Sequence, residues 1–309
     1  MVPFASDSVC VIGSECDDAR MKVTSTNPKL VRPPEEAPKA AAPKLPKAVR
    51  ELVALAQKSP AALQFRRDRP LSQVTNAHRT NTVGEMKAAL KSDHTQFECD
   101  LRAEINPPHE IECRHDPGME VGDNLKLSEW LAIGKASGRM LKLDVKESNR
   151  LPDILREVAK SGVPPERLNI NLGDTAMDRY GPQIRRKFPG ALLSINPKGA
   201  DAPPLTKAQL GRMQDLARKL GPPCSFVLRN DLVTKDVAKT LEPLGPISIW
   251  NDPGQAGVDV PAKLERQYRA MGVTGIVDLR KSDGLVQKAE GVAKQGLGRV
   301  EDLLNRFLR

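Results

Sequence analysis

The 309-residue sequence is poor in aromatic residues, and it lacks the signatures of several protein classes. Phe, Trp and Tyr make up only 3% of the chain, which argues against an aromatic stacking platform for single-stranded nucleic acid. No apolar run reaches the roughly eighteen residues that a membrane span needs. The N-terminus has acids and no basic segment before its apolar stretch, which is untypical of a signal peptide. We therefore predict a soluble protein, either cytoplasmic or exported without a recognisable signal peptide.

Cysteines are few, and their spacing excludes the common zinc-finger patterns. Their number is odd and no CxxC occurs. Pairing of Cys99 with Cys113 is one alternative, because they lie on neighbouring segments, but the pattern favours buried free thiols in a reducing compartment. The five cysteines are Cys10, Cys16, Cys99, Cys113 and Cys224.

The chain carries a formal charge of +9, and a basic surface attracts anions such as nucleic acid, lipid headgroups or phosphorylated substrates. No dense run of Lys and Arg accompanies this charge. The composition therefore favours an ordinary basic surface over a specific nucleic-acid site.

Residues 1–46 are rich in Pro, Ala and Lys. A segment of this composition has few apolar side chains to bury, which predicts a disordered or extended leader. Its role as a linker, an export segment or a tail for a protein partner remains open. Residues 47–72 are predicted to form an N-terminal helix and a connection. Residues 73–309 form the predicted folded domain, which ends in an amphipathic helix.

From residue 73 onward, eight predicted strands are each followed by a mostly helical segment. Alternating β and α units indicate a parallel sheet, and eight of them over this length match a (β/α)₈ TIM barrel. A doubly wound open sheet is the alternative. It lacks its main signal, because no GxGxxG follows the first strand.

Charged residues alternate with apolar ones in two of these strands. Glu98 and Asp100 share one strand face, and Lys142, Asp144 and Lys146 share a face of the next. Carboxylates that converge in this way need a cation between them, and oxygen ligands suit Mg²⁺ or Ca²⁺. A strand with one solvent-facing side has the same pattern, but the RHDP loop between the two strands favours a site.

Polar residues also stand at or near the ends of other predicted strands, where TIM barrels carry their chemistry. Any one of them alone is more often a capping or loop residue. They are His78 on the first strand, Asn169 and Asn171 on the fourth, Ser194 and Asn196 on the fifth, Arg229 on the sixth and Trp250 on the seventh.

Together these motifs resemble the glycerophosphodiester phosphodiesterase superfamily of TIM barrels, which is related to phospholipase C. The resemblance covers about residues 73–280, and the segments LKLDVKES and KFPGALLSI are similar to the menorin branch. The segment HRTNT lacks the Gly and the following Glu that the superfamily usually has there. The matching motifs, in order, are AHR with His78 and Arg79, ECD with Glu98 and Asp100, RHD with His115 and Asp116, DVK with Asp144 and Lys146, then Trp250 and residues 272–278.

The resemblance implies a metal-dependent phosphodiester hydrolase that acts on a small phosphodiester or a lysophospholipid-type substrate. It implies that Mg²⁺ or Ca²⁺ is bound by Glu98, Asp100 and Asp144, and that His78 and His115 exchange protons. Lys146 and Arg79 would stabilise the phosphoryl charge. The predicted substrate contacts are Lys142, Asn171, Ser194, Asn196, Arg229 and Trp250.

Three other functions stay open at this point. One is a non-catalytic barrel that binds a phosphorylated ligand or a protein partner. The second is a phospholipase D-like lipid phosphodiesterase, and the third, motivated by the net charge, is a nucleic-acid-binding protein.

Overall fold

The structure is a computed structural model that describes residues 45–105, 107–117, 122–197, 204–251 and 261–279. Most of the predicted leader and the predicted C-terminal helix lie outside these residues, so both stay predictions. No helix in the described ranges is long and apolar enough to cross a bilayer.

Eight parallel strands form one sheet, and a ninth segment, β3, pairs antiparallel with β2. The parallel strands follow one another in chain order, as the predicted (β/α)₈ barrel requires. The strands are β1 Asn76–Ala77, β2 Gln96–Ala103, β3 Ile111–Cys113, β4 Met140–Val145, β5 Leu168–Gly173, β6 Leu192–Asn196, β7 Cys224–Arg229, β8 Ile247–Trp250 and β9 Val277–Asp278.

The sheet comes close to closing on itself. Asn76 in β1 donates a hydrogen bond of 2.9 Å to Asp278 in β9, so the first and last strands are neighbours at the mouth. The (β/α)₈ fold is confirmed.

Helices follow the strands, and α1 precedes the barrel. The apolar side chains of Val49, Leu52 and Ala56 bury one face of α1. The helices are α1 Lys47–Ala56, α2 Val83–Leu90, α3 Leu127–Ser137, α4 Leu151–Ser161, α5 Asp174–Lys187, α6 Lys207–Leu220, α7 Lys235–Leu241 and α8 Pro261–Ala270.

Strand alternation sets the two sides of the barrel wall. In β2, Phe97, Cys99 and Leu101 are fully buried in the apolar core, while Glu98 and Asp100 on the other side join the polar interior. The cysteines of the described ranges, Cys99, Cys113 and Cys224, are buried free thiols as predicted; Cys10 and Cys16 lie outside these ranges.

An apolar floor fills the N-terminal end of the barrel. Two side chains from the connection between α1 and β1 pack against a cluster at the starts of four strands. The polar groups are thus left to the middle and the C-terminal end of the barrel. The cluster consists of Val74, Met140, Leu192 and Ile276, with Phe65 and Leu71 packed against it.

The first strand, β1, is short, and the reason is a backbone turn. Arg79 has a φ of 55°, which ends the extended conformation just after His78. The turn returns the chain to β2, where the Thr80 amide donates to the Glu98 carbonyl at 2.7 Å. Thr82 then caps α2 through a reciprocal capping box with Glu85.

Arg139 ties α2 to the barrel from a fully buried position. Its guanidinium donates to the carbonyls of Ala89, Leu90 and His94 at 3.1, 3.2 and 2.7 Å. It also lies 4.8 Å from the centre of the Phe97 ring. The charge therefore satisfies carbonyls at the end of α2 that the helix itself leaves without partners.

Replacing Arg139 by Lys should lower the free energy of unfolding by about 3 kcal/mol, because an ammonium cannot reproduce the planar fork of donors. Urea unfolding followed by circular dichroism measures the change. The matched control is Arg218→Lys, an exposed residue of α6, which should change stability by less than about 0.5 kcal/mol. Equal effects of the two variants would contradict this role of Arg139.

Candidate active site

Carboxylates from two neighbouring strands meet at the barrel mouth. The parallel register sets Asp100 of β2 beside Asp144 of β4, and Glu98 beside Lys142. Oxygen atoms of Glu98, Asp100 and Asp144 lie within 4.8 Å of one another. Three negative charges at this spacing repel each other unless cations compensate them.

Two lysines, one in β4 and one directly after it, supply part of that compensation. The Lys146 ammonium lies 2.9 Å from Asp100 Oδ1 and 2.6 Å from Asp144 Oδ2, and Lys142 lies 3.1 Å from Glu98 Oε1. Burial alone would lower the pKa of each lysine, but the adjacent carboxylates outweigh it and raise the pKa of both. Both lysines are therefore charged at neutral pH.

Neutral amides bind the remaining carboxylate oxygens. Asn81 donates to Asp100 Oδ2 and Asn171 donates to Asp144 Oδ1, each at 2.9 Å, while Asn76 donates to Glu98 Oε2. Each oxygen of the three carboxylates thus has an ion-pair or hydrogen-bond partner within the protein; for Asp100 Oδ1 this is the ion pair with Lys146, without an aligned hydrogen bond. Burial raises the pKa of Glu98 and Asp100, but the lysines and the other donors prevail and hold both pKa values below their ordinary range.

His78 lies between two acids at the junction of the first and last strands. Its Nδ1 atom is 3.3 Å from both Glu98 Oε2 and Asp278 Oδ2. Burial would lower the pKa of His78, yet the two carboxylates overcome it and raise this pKa to about 9. The imidazole is therefore protonated at neutral pH.

His115 has the opposite electrostatic environment. Its Nε2 lies 2.8 Å from a guanidinium nitrogen of Arg79, and its Nδ1 lies 2.8 Å from Asp116 Oδ1. Because a guanidinium only donates hydrogen bonds, Nε2 is the acceptor and Nδ1 carries the proton. Burial and the charge of Arg79 lower the pKa of His115, so this ring is neutral at pH 7.

The loop that follows β1 is fastened directly to the acid-bearing strand. The Thr80 hydroxyl donates to the Glu98 carbonyl at 2.8 Å and accepts from the Trp130 indole at 2.8 Å. Asn81 both donates to the Asp100 carboxylate and accepts from the Asp100 amide. These contacts fix the position of the β2 acids relative to His78 and Arg79.

A chain of hydrogen bonds runs through the barrel below the acids, and Ser194 belongs to it. The fully buried Ser194 hydroxyl lies 2.6 Å from Asn169 Oδ1 and 2.7 Å from Ser225 Oγ. Asn169 donates to Gln96, which donates to Asn76. Asn76 then donates to the mouth carboxylates, so Ser194 and Asn169 support the site from beneath.

The other predicted substrate contacts lie along the far rim. Asn196 donates to Asn171 at 3.0 Å, and Arg229 forms a two-pronged pair with Asp231. Trp250 is half-buried at the end of β8, in register with Arg229 on one side and Asp278 on the other. Asn196, Arg229 and Trp250 are thus the last residues of three neighbouring strands, at the same end of the barrel.

Sequence reasoning missed Asp278, Asn76 and Asn81 as members of this site. Asp278 had a signal, because it lies in the last predicted strand, within the segment matched at 272–278. The two asparagines had a weaker one, since each stands within two residues of His78 or Arg79 in a sequence stretch already singled out.

The donor chemistry of Glu98, Asp100 and Asp144 fits a hard divalent cation, which prefers carboxylate oxygen and water as ligands. The spacing of their oxygens, within 4.8 Å, is compatible with ligation of one ion. Lys146 occupies part of this space, so an ion and the ammonium would share the carboxylates.

Comparison with known proteins supports the fold and goes no further. No family model and no curated protein sequence matches the chain. A solved structure from Galdieria sulphuraria, described as a "putative glycerophosphodiester phosphodiesterase", is similar with a TM-score of 0.52 and 14% identity, over 71% of this chain and 98% of that one. A 2,3-dimethylmalate lyase structure of the PEP mutase/isocitrate lyase superfamily has a TM-score of 0.44 and 10% identity, over 84% of this chain and 89% of that one.

The first likeness shows the barrel fold. The second lies below the similarity at which a shared fold can be argued.

The pKa of His78 makes stability depend on pH. This pKa is about 9 in the folded state against an ordinary value of 6.5, so the folded protein binds more protons between these values. The contribution is complete below pH 6.5 and is lost as the pH rises through about 9, by up to about 3 kcal/mol. Urea unfolding in chelator from pH 6 to 10, with NMR titration of the imidazole, measures it.

Asp278→Asn is the matched variant, because it keeps the shape of the site and removes one of the two charges on His78. Its histidine midpoint should fall below that of the parent, and its stability should vary less over the same pH window. A parent midpoint at or below 6.5 would contradict the assignment.

Proposed function

We propose that the protein is a metal-dependent phosphodiester hydrolase of the glycerophosphodiester phosphodiesterase type. The observation that carries the proposal is the meeting of Glu98, Asp100 and Asp144 at the mouth of a TIM barrel, beside one protonated and one neutral histidine. The order of the sequence motifs and the likeness to the Galdieria barrel support it.

Glu98, Asp100 and Asp144 would hold a divalent cation of the Mg²⁺ or Ca²⁺ class, which when bound draws negative charge from the phosphate oxygens. Lys146 lies beside two of these acids and would stabilise charge on the phosphoryl group. Arg79 would do the same from the side of His115.

The two histidines have complementary protonation states, and this suggests their roles. Neutral His115 would accept the proton of the attacking hydroxyl, which belongs to water or to the substrate itself. Protonated His78 would give its proton to the oxygen of the leaving alcohol as the P–O bond breaks. Attack by a substrate hydroxyl would leave a cyclic phosphate.

Arg79 would couple substrate binding to the ability of His115 to accept a proton. In the structure its guanidinium donates a hydrogen bond to Nε2 of His115. This is the ring nitrogen that carries no proton and could accept one. An anionic phosphodiester is a stronger partner for a guanidinium than a neutral imidazole is. Substrate binding would therefore draw Arg79 to the phosphate and leave Nε2 free to accept a proton.

A non-catalytic barrel that binds a phosphorylated ligand is the second candidate. The specific observation in its favour is that each oxygen of the three carboxylates already has a partner in the protein. This candidate predicts phosphoester binding without turnover. A panel of glycerophosphodiesters and lysophospholipids would separate the two functions and identify the alcohol groups.

Hydrolysis of bis(p-nitrophenyl) phosphate should require a divalent cation. EDTA should abolish turnover, and added Mg²⁺ or Ca²⁺ should restore it. Glu98→Gln should lower kcat/KM by about 10²-fold or more, since it removes a charged ligand. Asp215→Asn, an exposed acid of α6, is the control and should retain the parent rate. Hydrolysis that persists in chelator would exclude the metal role.

The proposed proton donor and acceptor can be told apart by the leaving group. His78→Ala and His115→Ala should each lower turnover of alkyl phosphodiesters by about 10²–10⁴-fold. A p-nitrophenolate leaving group needs no proton, so it should restore much of the rate to His78→Ala and little to His115→Ala. His94→Ala is the control, because His94 bonds Ser92 just before β2. Equal rescue of both variants would refute the assigned roles.

A further inference from the structure

A second group of ligating atoms lies beside the acid cluster and differs from it in chemistry. A ring nitrogen of His78 and carboxylate oxygens of Glu98 and Asp278 all lie within 4.8 Å of one another. Their side chains are mostly buried, with relative exposures of 18%, 2% and 14%. One nitrogen and two oxygens come from strands β2 and β9 and from the end of β1.

The distances in this group are long for hydrogen bonds. Nδ1 lies 3.3 Å from each carboxylate oxygen, whereas charge-assisted N–H···O bonds measure about 2.7–2.9 Å. The buried Nδ1 atom also lacks an aligned hydrogen-bond partner among the described residues. Without a metal, the protonated Nδ1 of His78 is thus directed at two carboxylate oxygens without an aligned hydrogen bond to either.

The two distances from Nδ1 match edges of a tetrahedral metal site. Zn²⁺ binds imidazole nitrogen and carboxylate oxygen at about 2.0–2.2 Å, and a regular tetrahedron of that radius has edges of about 3.3–3.6 Å. With a neutral imidazole, the three ligands carry a total charge of −2, which balances the +2 charge of the ion. Three protein ligands leave the fourth position of the tetrahedron open.

We propose that His78, Glu98 and Asp278 form a binding site for a borderline divalent cation of the Zn²⁺ class. The imidazole nitrogen distinguishes it from the all-oxygen group of Glu98, Asp100 and Asp144, which suits Mg²⁺ or Ca²⁺. Glu98 belongs to both groups. Zn²⁺ would displace the proton from Nδ1 of His78, so occupation of this site would exclude His78 as the proton donor of the proposed hydrolysis. Metal binding is therefore measured separately from activity.

Asn76 holds the two carboxylates in place for this purpose. Its amide nitrogen donates to Glu98 Oε2 and, at 2.9 Å, to Asp278 Oδ2, and its own oxygen accepts from Gln96 at 2.8 Å. Hydrogen bonds of this kind to ligating carboxylates fix their orientation and raise metal affinity. Lys142 pairs with the other oxygen of Glu98, Oε1, and so leaves Oε2 facing His78.

The test is direct metal binding by the full-length protein after chelator treatment. Zn²⁺ alone is titrated in competition with a chromophoric chelator, and Co²⁺ is used as a spectroscopic replacement. The parent should bind Zn²⁺, and its Co²⁺ form should show the strong visible absorption of tetrahedral nitrogen and oxygen ligation without a thiolate charge-transfer band.

Asp278→Asn should weaken Zn²⁺ binding by about ten-fold or more, as expected when a ligand is lost. Asp144→Asn, which alters only the all-oxygen group, should change it by less than about three-fold. His78→Gln is the second variant, and it decides the question if Asp278→Asn does not fold. Parent-like Zn²⁺ affinity in the folded variants, or an octahedral Co²⁺ spectrum, would overturn the proposal.

Discussion

Compensation of buried negative charge at the barrel mouth is the constraint on which the rest of the site depends. A buried carboxylate is costly unless an opposite charge and hydrogen bonds accompany it. Here Lys142 in β4 and Lys146 directly after it lie on either side of Asp144 in the sequence and pair with the acids. His78 adds a third positive charge between Glu98 and Asp278. Glu98 and Asp100 can therefore stay ionised in a folded chain before any ion arrives. An entering cation would be bound by acids that already have partners, so its affinity would depend on how readily the lysines give way.

The barrel supplies this arrangement by separating apolar from polar layers along its axis. The floor is made of aliphatic side chains, while the middle is a one-directional chain of donors from Ser194 through Asn169 and Gln96 to Asn76. Carboxylates at the upper end can only accept hydrogen bonds, so the amide nitrogen of Asn76 must point toward them. The oxygen of Asn76 then points toward Gln96, and the same rule sets the orientation of Gln96 and Asn169. The interior network thus acts as a support that holds the acids in position, and the fold and the site share the same hydrogen bonds.

Local sequence rules predicted part of this site and could not predict the rest. The period of two along a strand was enough to place Glu98 with Asp100, and Lys142 with Asp144 and Lys146, and alternation of strands and helices was enough for the barrel. The register that sets Asp100 beside Asp144 is a property of strand pairing, and contact between β1 and β9 exists only when the barrel closes. Asp278 and Asn76 are about two hundred residues apart and meet only through that closure. Ser194 was predicted at the rim, but its depth in the barrel depends on the stagger of the strands, which no short motif encodes.

The central claim is that acids of β2 and β4 bind one cation at the mouth of the barrel, and a crystal of the protein soaked in Mn²⁺ tests it most directly. Anomalous scattering at the manganese absorption edge locates the ion independently of any activity. The account predicts a peak within ligand distance of Glu98, Asp100 and Asp144, with the Lys146 ammonium displaced from the space between the two aspartates. A peak elsewhere on the molecule, or none at the mouth with Lys146 still paired to both aspartates, would contradict it.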